Sequence, residues 1–379
     1  MIPMRFLHTA DWHLGKTLCN ASLLEDQAHV LDQILLAVRD ARPEVLVIAG
    51  DIYDRAVPSK EAVSLLDSFL KRLIQEEKTP VLIIAGNHDS PERLGFGASF
   101  LGEQGLFLAG TWSPDPVILG NVAFHLVPYG DPATIRHALN EDGIRTHQDA
   151  LAAQLAMVRE RHPPGLRSVV VAHAFVTGGL VCESELALSV GGAGEVDGRL
   201  FEAFDYTALG HLHRPQEVGG MAHVRYAGSL LKYSASEAGH VKAMTLVELP
   251  ETGPAHTEPW LLSPRRDLRR LKGHFQDLLT GSDPGSREDY LFVELLDPGP
   301  VLDALVRLRR VYPNLLGLQG PLETGQDPGV LNVDHRSLDP ETLFARFFQE
   351  TTGRELSGEE QDLYREILAR TGLNDGRFE

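Results

Sequence analysis

Side chains with oxygen or imidazole donors recur in this chain at one kind of place, just past the end of a short apolar run. Residues 5–9 lead into Ala10-Asp11-Trp12-His13, residues 45–49 into Gly50-Asp51, and residues 81–85 into Gly86-Asn87-His88-Asp89. The runs at 168–172 and 207–209 lead into His173 and into Gly210-His211-Leu212-His213. Unbroken apolar runs of this length read as buried strands, and open α/β sheets bind ligands at the carboxyl ends of their strands. Clustered carboxylate, amide and imidazole groups are costly to desolvate unless a bound ion compensates them. Asp-x-His and His-x-His would place two side chains on one face of an extended segment, because side-chain direction alternates with a period of two.

Asp11, His13, Asp51, Asn87, His173, His211 and His213 are more donors than one tetrahedral ion needs, and no thiolate is among them. Two ions about 3.5–4 Å apart, bridged by one carboxylate, would use the whole set, and ion pairs of that kind hydrolyse phosphate esters. The mixed donors suit manganese, iron or zinc. His88, one residue past Asn87, is the candidate general acid for the leaving oxygen, with Asp89 expected to orient its ring. The remaining histidines read as surface or core residues, with His125 and His137 as candidates for the shell around the ligands.

The elements that must position these groups alternate strand and helix from residue 5 to about 250, which predicts a layered α/β architecture. Residues 23–41 read as a helix, as do 60–77, with Ser59 as N-cap and Ala62, Leu66, Phe69, Leu70 and Leu73 on the apolar face. Ser90-Pro91 opens another helix, and Gly120-Asn121 sits between two apolar runs as a hairpin turn. Around residues 263–266 the texture changes, and a small unit with strands at 290–296 and 315–319 and a helix at 301–311 follows. Past a second linker at 324–329, helices are expected at 341–350 and from the Ser357-x-x-Glu360 capping box to about residue 370.

With 379 residues, 43 % hydrophobic and 23 % charged, the composition is that of a globular protein. The longest apolar runs are far shorter than the roughly 20 residues a membrane span needs, so no membrane is expected, and no secretory signal opens the chain. Cys19 and Cys182 lie in no metal-binding or redox spacing, which points to a reducing compartment. The net charge of −18 excludes coating of nucleic acid by bulk attraction, though not cleavage at a metal site with a local basic groove. The stretch 265–272, with Arg265, Arg266, Arg269, Arg270 and Lys272, reads either as a phosphate contact or as one solvated face of a helix.

The ordered set DWH, GDIYDRAVPS, GNHD, AH and GHLH resembles the calcineurin-like metallophosphoesterase superfamily over about residues 1–260. Within it, TADWHLGKTL, AGNHDSPERL, LGHLHRPQ and YAGSLLKYSASEAG resemble the SbcD family, the nuclease subunits of bacterial SbcCD complexes, and the likeness runs through the tail. The resemblance implies a four-layer α/β/β/α sandwich over 1–262 and a small α+β capping domain over 263–325 that shapes DNA access. Over 326–379 it implies a linker and a helix pair that docks on the SbcC coiled coil. It further implies two divalent ions, Mn2+ in this family, one held by Asp11, His13 and His213, the other by Asn87, His173 and His211, with Asp51 bridging and His88 catalytic.

The activity implied is DNA cleavage, exonucleolytic on double strands and endonucleolytic on single strands and hairpins, in DNA end processing, repair and recombination. The partners implied are DNA, a second copy of this chain through helices at 59–77 and 90–102, and an SMC-like ATPase of the SbcC type. The assembly would be a heterotetramer with two ATPase subunits, in the cytoplasm and associated with the nucleoid. Archaeal and eukaryotic relatives carry a histidine three positions past the bridging aspartate. Here that position is Asp54, expected to lie at the surface or just behind the ligands and left out of the catalytic set. Phosphomonoesterases and cyclic-nucleotide phosphodiesterases of the same superfamily share the metal motifs and form the alternative reading.

Overall fold

The computed structural model describes residues 3–185, 194–281, 283–299 and 301–320, together with 344–345, 348, 356–358 and 360–364. Two compact units divide the chain, residues 1–321 and 322–379.

The first unit is built on two six-stranded sheets. One runs in the order His256–Leu261, Ala243–Leu249, Met4–Thr9, Val45–Ile48, Val81–Ile84 and Leu106–Ala109. Its last four strands are parallel, as their continuous apolar sequences require, while Ala243–Leu249 joins Met4–Thr9 antiparallel. The other runs Gln216–Val218, Met221–Tyr226, Tyr206–Gly210, Arg167–His173, Val122–Val127 and Val117–Leu119. Gly120-Asn121 forms the turn between its last two strands, which pair antiparallel as the sequence predicts.

Phe6, Val45, Val47, Leu82 and Ile84 of the first sheet pack against Phe124, Val169, Val171, Tyr206 and Ala208 of the second. The opposite face of the first sheet is covered by the helices Leu24–Ala41 and Lys60–Lys71, through Val30, Leu31, Ile34, Leu66 and Phe69. The opposite face of the second is covered by the helix His147–Arg161, through Leu151, Leu155 and Val158. This is the expected α/β/β/α sandwich. All the parallel strands deliver their carboxyl ends to one edge of it.

Ser59 caps the second helix by accepting a hydrogen bond from Ala62 N, and the helix closes on a wide π-type turn, Arg72–Glu76, in place of the continuous helix expected to residue 77. Pro91 opens only a short helix, Pro91–Leu94, followed by Ala98–Leu101.

A module with its own core follows the second sheet. Strands Leu268–Gly273, Tyr290–Leu295 and Leu315–Gln319 pair in parallel, and helices Phe275–Leu279 and Ala304–Arg309 pack on them through Phe275, Leu278 and Leu308. The basic stretch that opens it is a strand from Leu268 onward, with Arg265 and Arg266 in the bend before it, which overturns its reading as a helix face, and it is largely neutralised. Arg266 Nη2 lies 2.7 Å from Asp26, Arg269 is 2.7 Å from both Asp283 and Asp289, and Lys272 is 2.6 Å from Glu294, its register partner on the next strand. A cavity of about 380 Å³ lies between this module and the sandwich, lined in part by Leu231, Lys232, Lys242, Arg266 and Tyr290 and by none of the seven candidate ligands.

In the second unit, Ser357 and Glu360 form the expected reciprocal cap, with Ser357 N donating to Glu360 Oε2 at 2.8 Å. Phe344 stacks on Tyr364 at 3.9 Å. Most of the two helices expected at 341–350 and 357–370 lies outside the described residues. Among the described residues no helix is long and apolar enough to cross a membrane.

Candidate metal centre

The five strand ends converge as expected, but the paired ligands do not lie on extended backbone. Asp11, His13, Asp51 and His211 all have positive φ, at 53°, 45°, 51° and 111°. Left-handed geometry costs a non-glycine residue roughly 1–3 kcal/mol and persists where surrounding bonds over-determine it. Here Asp11 N donates to Gly50 O at 3.0 Å and His13 N to Asp51 O at 2.9 Å, so two ligand-bearing turns run side by side. Gln27, from the first helix, seats the same turn by donating to His13 O at 2.7 Å and to Trp12 O at 3.2 Å. His211 N donates to both carboxylate oxygens of Asp11, at 2.9 and 3.1 Å. Turns at the strand ends, rather than strand alternation, aim each pair inward.

Asp51 sits at the centre. Its Oδ2 lies 3.6 Å from His13 Nε2 and 3.6 Å from His173 Nε2, while Oδ1 accepts from His88 N at 2.9 Å. On one side His13 Nε2 meets His213 Nε2 at 3.1 Å. On the other, Asn87 Oδ1 lies 2.9 Å from His173 Nε2 and 3.1 Å from His211 Nδ1. All seven side chains come together, and all but Asn87 are buried.

The donor chemistry fits divalent cations. His173 Nδ1 lies 2.9 Å from Ala49 O and must carry the proton that bonds it, so Nε2 turns a bare lone pair toward the Asn87 oxygen. Two acceptors at that distance repel unless a cation lies among them. Burial first, then the neighbouring imidazoles, hold His13 and His211 well below the usual histidine range, so both rings are neutral, as ligation requires. Burial first, then the Asp51 charge, push the Asp11 carboxyl well above its usual range, a strain that a cation relieves.

His88 stands beside the ligands, its ring centroid 4.6 Å from that of His13 and its Nε2 4.0 Å from Asp51 Oδ2. Its Nδ1 donates to the main-chain oxygen of Asp54 at 2.9 Å. Asp54, not Asp89, therefore orients this ring, while its own carboxylate takes Lys16 Nζ at 2.7 Å. The buried Asp89 carboxylate is spent on the N–H groups of Ile52, Tyr53 and Gly86, which locks the Asp51 turn to the Asn87 turn.

Neither His125 nor His137 belongs to the cluster. His125 Nε2 faces His162 Nδ1 at 3.0 Å on the second sheet, and His137 lies exposed on the helix Pro132–Leu139. Missed in the sequence were Ser184, Glu185, Glu237 and Lys242, which surround His213. Glu237 lies within the YAGSLLKYSASEAG stretch, and that was the one signal pointing to it.

A double-sheet sandwich whose strand ends gather carboxylate, amide and imidazole donors around a central aspartate defines a metallophosphoesterase. Residues 4–215 match the model of the calcineurin-like phosphoesterases, and residues 264–352 that of the type 5 capsule protein repressor C-terminal domain. The D-type subunit of the SbcCD nuclease of Staphylococcus saprophyticus is 34 % identical over 370 residues, covering 96 % of this chain and 98 % of that protein. A dimetal phosphatase from Danio rerio, 14 % identical, covers 69 % of this chain and 100 % of its own with a TM-score of 0.37. The chain belongs to the SbcD family of the calcineurin-like phosphoesterases and is a metal-dependent phosphodiester hydrolase.

Proposed function

We propose that this chain is a two-metal DNA nuclease, cutting duplex ends as an exonuclease and single strands and hairpins as an endonuclease. The observation that carries the reading is the position of Asp51 Oδ2, 3.6 Å from the Nε2 atoms of His13 and of His173, between two groups of lone pairs. Asp11, His13 and His213 would hold one Mn2+, Asn87, His173 and His211 the other, with Asp51 shared. The ions supply Lewis acidity that polarises the phosphodiester and makes water nucleophilic near neutral pH.

The chain's own residues supply the rest. His88 keeps its Nδ1 proton on the Asp54 carbonyl, so its Nε2 is the atom that carries a proton to the leaving oxygen. Asp11 anchors the His211 backbone, and Asp89 holds the Asp51 and Asn87 turns in register.

The whole-length likeness to an SbcCD nuclease subunit supports DNA as the substrate, and the SbcCD name supports a second, C-type subunit, an SMC-like ATPase by family resemblance. The module at 263–325 would cap the site and shape DNA access, and the helix pair within 326–379 would dock on the ATPase coiled coil. Two copies would pair through the helices at 59–77 and 90–102, where Phe96 is 84 % and Phe100 70 % exposed, to give a heterotetramer acting on cytoplasmic, nucleoid-associated DNA. An ATPase with basic surfaces would offset a net charge of −18 at the DNA.

The test is cleavage of a labelled hairpin duplex by the purified chain with manganese, magnesium or EDTA, beside Asp51→Ala and His88→Ala. Cutting with manganese that EDTA abolishes, and that falls at least a hundredfold in both variants, is the expected result. Efficient turnover of a nucleotide monoester or cyclic nucleotide with no DNA cleavage, even with the ATPase partner and ATP added, would replace the nuclease with the small-molecule phosphoesterase reading.

A further inference from the structure

We infer that Ser184 and Glu237, braced by Lys242, form a positioning relay that fixes His213 as an Nε2 donor, so that one of the two metal positions depends on them and the other does not. The inference rests on the reading of His213 as a metal ligand.

The relay is read from the hydrogen bonds. His213 Nδ1 lies 2.8 Å from Ser184 Oγ and 3.4 Å from Glu237 Oε1, and the Ser184 hydroxyl in turn bonds Glu237 Oε1. The same carboxylate oxygen accepts from Tyr233 N at 3.1 Å, and Lys242 Nζ closes on Oε2. A carboxylate paired with an ammonium and ringed by donors is ionised and can only accept. The Ser184 proton must therefore point to Glu237, which leaves the serine oxygen to accept from His213 Nδ1–H. That assigns the ring: proton on Nδ1, bare lone pair on Nε2, the atom that faces His13 Nε2 at 3.1 Å.

The main chain of His213 is clamped as well. Its N–H donates to Glu185 Oε1 at 2.7 Å, and its carbonyl accepts from Lys242 Nζ at 2.8 Å. Glu237 and Lys242 are 0 % and 5 % exposed, so this buried ion pair has no solvent to satisfy it and is committed to the ring beside it. Ser184 and Glu185 come from a separate segment, which is tied down by a reciprocal pair between Leu180 and Gln216 and by Glu183 N on Ser236 Oγ at 3.1 Å.

The two halves of the centre are supported differently. His173 is oriented by a main-chain carbonyl, that of Ala49. His13 Nδ1 has no hydrogen-bond partner among the described residues. Of the two imidazoles in that half, His213 is the one whose Nδ1 is held by hydrogen bonds, and it is held by the relay. Outer-shell partners of ligating histidines are typically worth 10–100-fold in metal affinity.

The deciding experiment is a Mn2+ titration of the full chain, followed by calorimetry and by electron paramagnetic resonance, with thermal unfolding of each metal-free variant as a control on folding. Wild-type chain should take two equivalents and give a spin-coupled pair. Ser184→Ala and Glu237→Gln should each weaken one equivalent about 10–100-fold and leave the other, giving an uncoupled six-line signal at low manganese, with Ser184→Thr restoring the coupled pair. If Glu237→Gln does not fold, Ser184→Ala decides alone. Wild-type binding of both equivalents by Ser184→Ala overturns the relay, provided His213→Ala loses one. Wild-type binding by His213→Ala itself would instead overturn the ligand reading on which the relay stands.

Discussion

His8 and His125 are buried as neutral rings on the sheets, away from the catalytic work. His8 sits between Tyr206 Oη at 3.0 Å and Leu209 O at 3.2 Å, and burial lowers its pKa to about 3. Burial first, then the charge of His162, lower that of His125 to about 4 from an ordinary 6.5, and its Nδ1 has no hydrogen-bond partner among the described residues. Below pH 6.5 an unfolded chain protonates these rings while the folded chain resists. Their contribution to stability is therefore full above pH 6.5 and is lost as pH falls toward 4, by up to about 3 kcal/mol for His125. Urea unfolding measured across pH 4–7 should show that slope, and His125→Gln should flatten it. An unchanged slope would mean that His125 titrates alike in both states.

The residue scale is also where the sequence was read best and worst. The clustering of the candidate ligands was legible because each follows a strand-like run, so position and chemistry coincide. Ser184, Glu237 and Lys242 were not, because they act through another residue: Ser184 reaches across 29 positions to His213 and across 53 to Glu237. No periodicity marks a buried ion pair that serves a neighbouring ring. The left-handed turns at Asp11, His13 and Asp51 were equally invisible, since only hydrogen bonds between two distant loops hold them there.

Among the elements, the five parallel strands that lead into candidate ligands were legible as apolar runs while Leu106–Ala109 and Met221–Tyr226 were not, and the strand ends pack so closely that small residues are obligatory between them. A Cβ on Gly86 would stand 2.1 Å from Asp51 Oδ1 and 2.4 Å from Asp51 N. Neither atom can yield without moving the carboxylate at the middle of the centre. Gly86→Ala should cost about 1–3 kcal/mol in thermal stability, the usual range for overpacking, and drop bound manganese below one equivalent per chain. Metal analysis beside circular dichroism checks it. A folded Gly86→Ala chain that keeps two equivalents would mean Asp51 need not sit where it does. The strand Leu268–Gly273 was harder to read, because Leu-Arg-Arg-Leu-Lys satisfies a helical stripe as well as an edge strand. Its pairing with Tyr290–Leu295 and its bonds to Asp283, Asp289 and Glu294 are non-local and decide the matter.

For the whole molecule, the cations at the joint between sandwich and module are committed to internal partners. The buried Asp26 takes Arg266 Nη2 at 2.7 Å and Tyr290 Oη at 2.9 Å, so that charge is not available to DNA. The first unit also exposes large apolar side chains. Phe96, Phe100, Val57 and Val63 are 84, 70, 68 and 44 % exposed, on or beside the helices Lys60–Lys71, Pro91–Leu94 and Ala98–Leu101. Exposed large apolar side chains on neighbouring elements are candidates for an association surface, and charges introduced there oppose burial far more than they disturb the separate chain. If the proposed pairing of two copies holds, Phe96→Glu combined with Phe100→Glu should therefore leave unfolding temperature and manganese binding within experimental scatter while giving a monomer in light scattering where the unaltered chain gives a dimer. Cleavage of duplex ends should fall at least tenfold, because a monomer presents one centre and half the surface for DNA. A wild-type chain that is monomeric at tens of micromolar, or a double variant that still dimerises, would remove these phenylalanines from the interface and require another role for two exposed aromatic rings within five residues of each other.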